Sequence, residues 1–388
     1  MVATGHQPLP PHPGILAKYL AARQLADAAG GVVLNLVVDT VDISLGDVEV
    51  PVGSPPLGLV TRRVSLAREA VGVLATRPAA VVAACSPPPE VSPDVRRGLM
   101  AISRAWESAG GQTAGVQAAE CVAALLQPYA GDLISVAASA LVRTPAGEAL
   151  VRAMKRDPQG CARAWNAACC AVPEARVRLL RVGAEPELPL WVLDRGLRRP
   201  AGVDDLDSPE SLLPSGLVTT AIIRSAGCDA FVHGLGGWRY DQVMERWIAK
   251  WLGWPLAACW LATAEARLPG CDEAAVLRAE TVQRRRRRRV RHDPAGGGKA
   301  GLSAEKAALL KAIDQSPPRS VQRRDAWNTL HRWLDRSSGV RDSGVGLATA
   351  RKRDWAFPLY PEASMRRMEA AIARAISEDA ALPCPMPC

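Results

Sequence analysis

The run Val32-Val-Leu-Asn-Leu-Val-Val38 constrains this chain more than any other stretch. It is apolar at nearly every position, so both faces of a strand built from it must be covered. That is the pattern of a parallel sheet buried between helices. Its flanks agree. Gly30-Gly31 stands before it, where glycine readily takes the left-handed conformation that closes a helix, and Asp39-Thr-Val-Asp42 follows it. Upstream, Ile15, Leu16, Tyr19, Leu20 and Leu25 lie at helical spacing and predict a helix over residues 15–29. Before it come a short strand, Val2-Ala-Thr4, and a Pro/Gly-rich loop from Gly5 to Gly14. Strand, helix and strand make one βαβ unit, expected to be right-handed.

A second unit is predicted further on. Leu212-Leu-Pro-Ser215 leads into a helix over 216–226, then Cys228-Asp-Ala-Phe-Val-His233 reads as a strand and Gly234-Leu-Gly-Gly237 as its loop. Asp241 is expected to be the N-cap of a helix bearing Val243, Met244, Trp247, Ile248, Trp251 and Leu252 on i/i+4 rows. Residues 255–261 supply the next buried strand. The fold class expected is α/β, a Rossmann-like parallel sheet core with helical insertions and a C-terminal helical hairpin arm.

The chain divides accordingly. Residues 1–60 form the first half of the core and 61–180 a mainly helical insertion, with helices near 65–75, 93–109, 115–126, 132–141, 146–154 and 161–171. A strand pair is expected near 176–182 and 188–194. Residues 181–270 hold the second half of the core and 271–345 the helical arm, with helices over 273–292, 303–313 and 323–334 and a turn at Pro294-Ala-Gly-Gly-Gly298. Residues 346–388 return to the core through Trp355-Ala-Phe-Pro-Leu-Tyr360, a helix over 361–375 and a frayed tail.

Composition excludes several classes. No apolar run reaches the roughly 18 residues a membrane span needs, and a basic segment followed by an apolar one is missing at the N-terminus, so a secretory signal is not expected. The ten cysteines form no CxxC pair and no Cys/His spacing of a zinc site; the tail Cys384-Pro-Met-Pro-Cys388 reads as unstructured, and no metal is expected. A reducing cytoplasm is the expected compartment. The net charge of +9 resides mostly in one segment, Arg284 to Arg289 plus Arg291. That run has no interleaved aromatics and reads as a solvated helix face rather than a nucleic-acid interface.

Strand, glycine-containing loop and helix aim free backbone N–H groups and a helix dipole at an anion, and this arrangement occurs twice. Thr4, Gly5, His6 and Gln7 build the first loop, with Lys18 one turn into the helix and leaning back toward it. Gly234, Gly236 and Gly237 build the second, followed by Tyr240 and Asp241. Three of the five histidines, His6, His12 and His233, fall in these loops. Ligands of open α/β sheets bind outside the carboxyl ends of the strands, so the two loops are expected to converge on one site. His6 and His233 could transfer protons or stabilise charge there. Asp39, directly after a buried strand, could hold a hydroxyl, an amine or Mg²⁺; Asp42 reads as a turn cap.

These stretches resemble a known group. Val2-Ala-Thr-Gly-His-Gln7, Pro13-Gly-Ile-Leu-Ala-Lys18 and an apolar strand ending in an acid are similar to the bacillithiol-synthesis cysteine-adding enzymes. Those have a Gly-Gln-Gln or Gly-His-Gln loop, a Gly-Pro helix start with a lysine, and a strand ending Glu-Asp-His-Asp. Phe231-Val-His-Gly-Leu-Gly-Gly-Trp-Arg-Tyr-Asp241 resembles the Phe-Ile-His-Gly-Ile-Gly-Gly-x-x-Tyr-Asp signature of bacterial relatives. The resemblance implies a Rossmann-like core related to class I synthetases, a coiled-coil arm, and a reaction joining cysteine to a glucosaminyl-malate. Here the acidic motif is reduced to Asp39-Thr-Val-Asp42, without its histidine. The function expected is a ligase-like enzyme of low-molecular-weight thiol metabolism, with a non-catalytic sugar- or nucleotide-binding protein as the alternative. Its partner is a small-molecule substrate, ATP or another nucleotide with Mg²⁺ is the cofactor class such a site could take, and the arm could make a homodimer.

Overall fold

A computed structural model describes residues 1–53, 58–292, 300–337 and 343–380. At its centre lies a five-stranded, all-parallel sheet in the order 258–261, 230–233, 2–6, 33–37, 134–137. Strands stand where they are expected, over Val2–His6, Val33–Val37, Ala230–His233 and Ala258–Leu261, but the last is not buried: it is an edge strand with Trp260 and Leu261 exposed. Direction along the sheet reverses between Val2–His6 and Ala230–His233: the chain builds outward on one side as far as Ile134–Ala137, then returns to add the other two strands.

Alternate residues of the strands serve two cores. Ala3, Leu34, Leu36 and Phe231 join a core with helices Pro145–Arg156, Pro158–Ala171, Gly216–Ala226 and Leu235–Trp251. Val2, Val33 and Val232 face the other way, against Ala21, Ala22 and Ala26 of helix Pro13–Ala28. That helix turns its Leu16, Tyr19 and Leu20 into a further core with helices Pro93–Ser108 and Ala114–Ala130. Both faces of the sheet are thus covered, as the apolar run at Val32–Val38 requires. Asn35 is tolerated in that run because it accepts from Tyr19 Oη at 2.9 Å and donates to Ser135 Oγ at 3.1 Å.

Several expectations need correction. Residues 132–141 are not a helix: Ile134–Ala137 is the sheet's edge strand and a 3₁₀ turn follows over Ala138–Arg143. Residues 65–75 hold a short strand, Ala67–Arg68, and turns in place of a helix; just before them Asp47–Val52 and Val60–Ser65 form an antiparallel pair. Leu188–Asp194 pairs with Leu197–Ala201 and Leu212–Pro214, and residues 176–182 form no strand. Asp241 is no N-cap. The helix begins at Leu235 with Gly234 as its cap, so Gly234-Leu-Gly-Gly237 is a first helical turn rather than a loop.

Beyond the sheet, Glu273–His292 is one helix, and Ser343–Arg351 packs on it with Arg351 Nη2 2.7 Å from Glu273 Oε1. Ala300–Asp314 and Val321–Ser337 pack together around Ile313 and Leu330. Trp355, Phe357, Leu359 and Tyr360 return to the core as expected, and all four are buried. The turn at Pro294–Gly298 and the tail Cys384–Cys388 lie outside the described residues, as do most side chains of the arginine run. Among the described residues no helix is long and apolar enough to cross a membrane.

Candidate functional site

His6 and His233 end neighbouring strands, paired through Thr4 and Val232, so they emerge at one sheet edge. Thr4 is fully buried and spends its hydroxyl on the Val232 carbonyl at 2.9 Å, fixing this register rather than meeting a ligand. Gly5 is where the neighbouring strand comes too close for any side chain: a Cβ there would stand 2.5 Å from the Leu36 carbonyl oxygen. Lys18 leans back as its helical position predicts, and its ammonium donates to the Gly5 carbonyl at 2.5 Å. It is buried, and burial lowers its pKa to about 7. It forms no ion pair with a carboxylate among the described residues.

His6 Nδ1 lies 2.9 Å from the Gln7 carbonyl oxygen, an acceptor, so this nitrogen carries the proton and Nε2 the lone pair. Burial and the nearby Lys18 push the His6 pKa down to about 3. It is therefore a neutral hydrogen-bonding group at pH 7, not a cationic acid. Gln7 contributes its carbonyl, which also accepts from the Leu9 amide. His12 caps helix Pro13–Ala28 through Nδ1, accepting from the Gly14 amide at 3.1 Å.

These groups open on a cavity of about 540 Å³ lined by Gly5, His6, His12, Lys18, Gly234, Gly236, Gly237 and Tyr240, with His233 at its side. A second cavity, about 740 Å³, lies beyond and shares Gly216, Thr220, His233, Gly237 and Tyr240 with the first. The two are lobes of one cleft. Helices Gly216–Ala226 and Leu235–Trp251 both start at it, and neither has a side chain capping its first turn, so their N-terminal dipoles face the space. Ser215 Oγ, at the larger lobe, is buried without a hydrogen-bond partner among the described residues.

No motif in the sequence marks the larger lobe. Arg176, Arg178 and Arg198 line it with Trp165 and Trp191. Glu187 holds Arg178 through both carboxylate oxygens. Arg198 stacks over Trp191 at 4.8 Å and donates to the Thr40 carbonyl at 2.8 Å. Arg176 is exposed and takes a left-handed backbone, φ 53°. Its walls come from segments far apart in the chain, which no local pattern connects.

Behind His233 lies a buried polar cluster. Asp241, inside the helix, receives Arg224 Nη1, which also reaches Glu245 Oε1 at 2.7 Å. His233 Nε2 stands 3.2 Å from Asp241 Oδ2. Burial would raise the Asp241 carboxyl, but His233 and Arg224 together hold it below the ordinary carboxylate value. Cys259 on the edge strand approaches the same group.

Asp39 is elsewhere. It accepts from the Ser139 amide at 2.8 Å and the Ser139 hydroxyl at 2.5 Å, and lines neither lobe. Burial raises its pKa against those two hydrogen bonds. Asp42 lies by the Gly72 amide, 3.4 Å, and Arg77, 3.7 Å, consistent with a turn role. Compared with known proteins, the chain matches no family model and no curated sequence.

Proposed function

We propose that this chain is a ligase-like enzyme that binds an anionic small molecule in the smaller lobe and joins it to a second reactant held in the larger one. The observation that carries this reading is the shared wall: His233, Gly237 and Tyr240 border both lobes, so two bound molecules would meet there. Lys18, buried without a carboxylate, and the uncapped turn at Gly234 supply what an anion needs. A charged ligand there would also offset the cost of burying the ammonium. On this reading His233, beside Asp241, moves a proton between the reactants, while neutral His6 orients them.

The strand order supports a Rossmann-like core, since the sheet runs 3-2-1-4-5 in chain order and the cleft lies at the switch point, where ligands of such sheets bind. The resemblance of the Thr4–Gln7 and Phe231–Asp241 stretches to cysteine-adding enzymes makes low-molecular-weight thiol metabolism the substrate class, with an amino-sugar conjugate in one lobe. On this reading the protein is cytoplasmic, ATP or another nucleotide with Mg²⁺ is the cofactor to test, and the paired helices 300–314 and 321–337 belong to an arm that could join two copies.

A second reading, a non-catalytic sugar- or nucleotide-binding protein, is favoured by one observation: Asp39 is spent on Ser139, so the reduced acidic motif offers the cleft no carboxylate. A thermal-shift panel of nucleotides, amino-sugars and malate conjugates, each followed by product analysis with cysteine, separates the two. Turnover supports the ligase; strong stabilisation with no product supports the binding protein. Binding and activity that survive both His6→Ala and His233→Ala would remove the cleft from either reading.

A further inference from the structure

We propose that His233, Asp241 and Cys259 form a binding site for a thiophilic divalent metal ion such as Zn²⁺. The three come from separate elements: the end of strand Ala230–His233, the second turn of helix Leu235–Trp251, and the edge strand Ala258–Leu261. One ligating atom from each lies within 4.8 Å of the other two. Imidazole nitrogen, carboxylate oxygen and thiolate sulfur are the donors zinc and cobalt take, each about 2.0–2.3 Å from the ion, and atoms this near one another can meet on one ion with a small closing movement of the side chains. Sequence spacing alone does not reveal such a set, because its members stand at 233, 241 and 259 on three elements.

A second, independent observation points the same way. His233 Nε2 and Asp241 Oδ1 are buried and make no hydrogen bond among the described residues; the 3.2 Å approach of Nε2 to Asp241 Oδ2 lacks hydrogen-bond geometry. Their side chains are only 9% and 3% exposed. Two orphaned polar atoms on neighbouring buried side chains are costly in a protein interior, and an ion held by both residues would satisfy them. Arg224 engages Asp241 through Oδ2, which leaves Oδ1 for the ion. Charge also balances. Asp241 and Glu245 against Arg224 leave one negative charge, and a Cys259 thiolate makes two, matched by a divalent ion. On binding, the Cys259 S–H bond is exchanged for a sulfur–metal bond and the proton leaves to solvent; nothing is oxidised or reduced. Lys18 and the Gly234 turn take no part, so this inference does not depend on anion binding in the smaller lobe; with an ion bound, His233 is a ligand and not the group that moves a proton.

Titrating the full-length, metal-stripped chain with Co²⁺ and following the thiolate-to-cobalt charge-transfer band tests it, with Zn²⁺ competition giving the affinity. One equivalent should produce the band, and the variant with Cys384→Ser and Cys388→Ser should behave identically, which separates this site from the tail thiols. Cys259→Ser, a near-isosteric change, should abolish the band and weaken Zn²⁺ binding by at least the roughly 10–100-fold that loss of an outer-shell partner costs. His233→Gln, checked for folding by circular dichroism, should weaken it likewise. No band from the folded wild-type chain, or a band that survives Cys259→Ser, overturns the proposal.

Discussion

Gly237 carries no side chain where His233 places its imidazole: a Cβ at 237 would stand 2.4 Å from His233 Nδ1. The ring also packs against Phe231, with centroids 4.5 Å apart, and is buried, so it has little room to yield. The Gly234–Gly237 turn is therefore a seat for His233 as well as the proposed anion cradle.

Gly237→Ala sets two effects against each other. Replacing glycine inside a helix by alanine favours folding by roughly 0.5–1 kcal/mol, whereas forcing an extra methyl into a packed site costs about 1–3 kcal/mol. The clash wins because its partner is a confined ring. We expect a net loss of stability in urea unfolding together with weaker ligand binding; a more stable protein with intact binding would mean the ring is free to move.

The Lys18 ammonium predicts opposite pH trends for stability and for anion binding. The unfolded chain keeps this proton to about pH 10.4, while the folded one releases it near 7. Between those values the unfolded state binds more protons, so this group's contribution raises stability as pH climbs through the window. Lys18→Met removes that contribution, so its advantage over the wild type should be largest, on the order of a few kcal/mol, below about pH 7 and should fade toward pH 10. Sulfate, whose charge is constant over this range, should bind the wild type less tightly above about pH 7 as Lys18 loses its charge. Calorimetric affinity that stays flat across that range would remove Lys18 from the anion site.

How far the sequence could be read follows from how each residue earns its place. The central strands were legible because they are covered on both faces, so Val33–Val37 is apolar at every position but Asn35. Ile134–Ala137 was not, because an edge strand with Ile134 half exposed loses that pattern and sits among good helix formers. Asp241 resembles a cap in sequence because the apolar row begins just after it; the helix starts six residues earlier, and its first turn faces the cleft, not the core. His6, Lys18 and His233 share one cavity, as the sequence suggests, because parallel strands put their ends at one edge. The arginine-lined lobe was invisible, its walls being drawn from residues 165 to 241.

Asp39 is predicted to matter for folding and not for ligands. Asp39→Ala leaves the Ser139 amide buried without its acceptor, a loss of about 1–3 kcal/mol. Anion affinity should be unchanged, since Asp39 lines neither lobe. Weakened binding in a variant of wild-type stability would return Asp39 to the site.

The Arg224–Asp241 pair supplies the last prediction. Both side chains are nearly inaccessible, 4% and 3% exposed, and Arg224 also donates from Nε and Nη2 to the Ala257 carbonyl at 3.0 and 2.7 Å. Removing one partner of such a pair strands the other, which typically costs about 3–5 kcal/mol. Arg224→Met should therefore be strongly destabilising at neutral pH, and adding Asp241→Asn should recover part of the loss, because a buried amide costs less than a buried charge. Acid reports the same physics. In the wild type the depressed Asp241 carboxyl stabilises the fold above its unfolded value and that stability is lost as pH falls through the folded one. Without Arg224, burial dominates and favours the protonated acid, so the variant's deficit should shrink toward about pH 4. A deficit that is constant from neutral to acid pH would mean Arg224 acts through the Ala257 carbonyl alone.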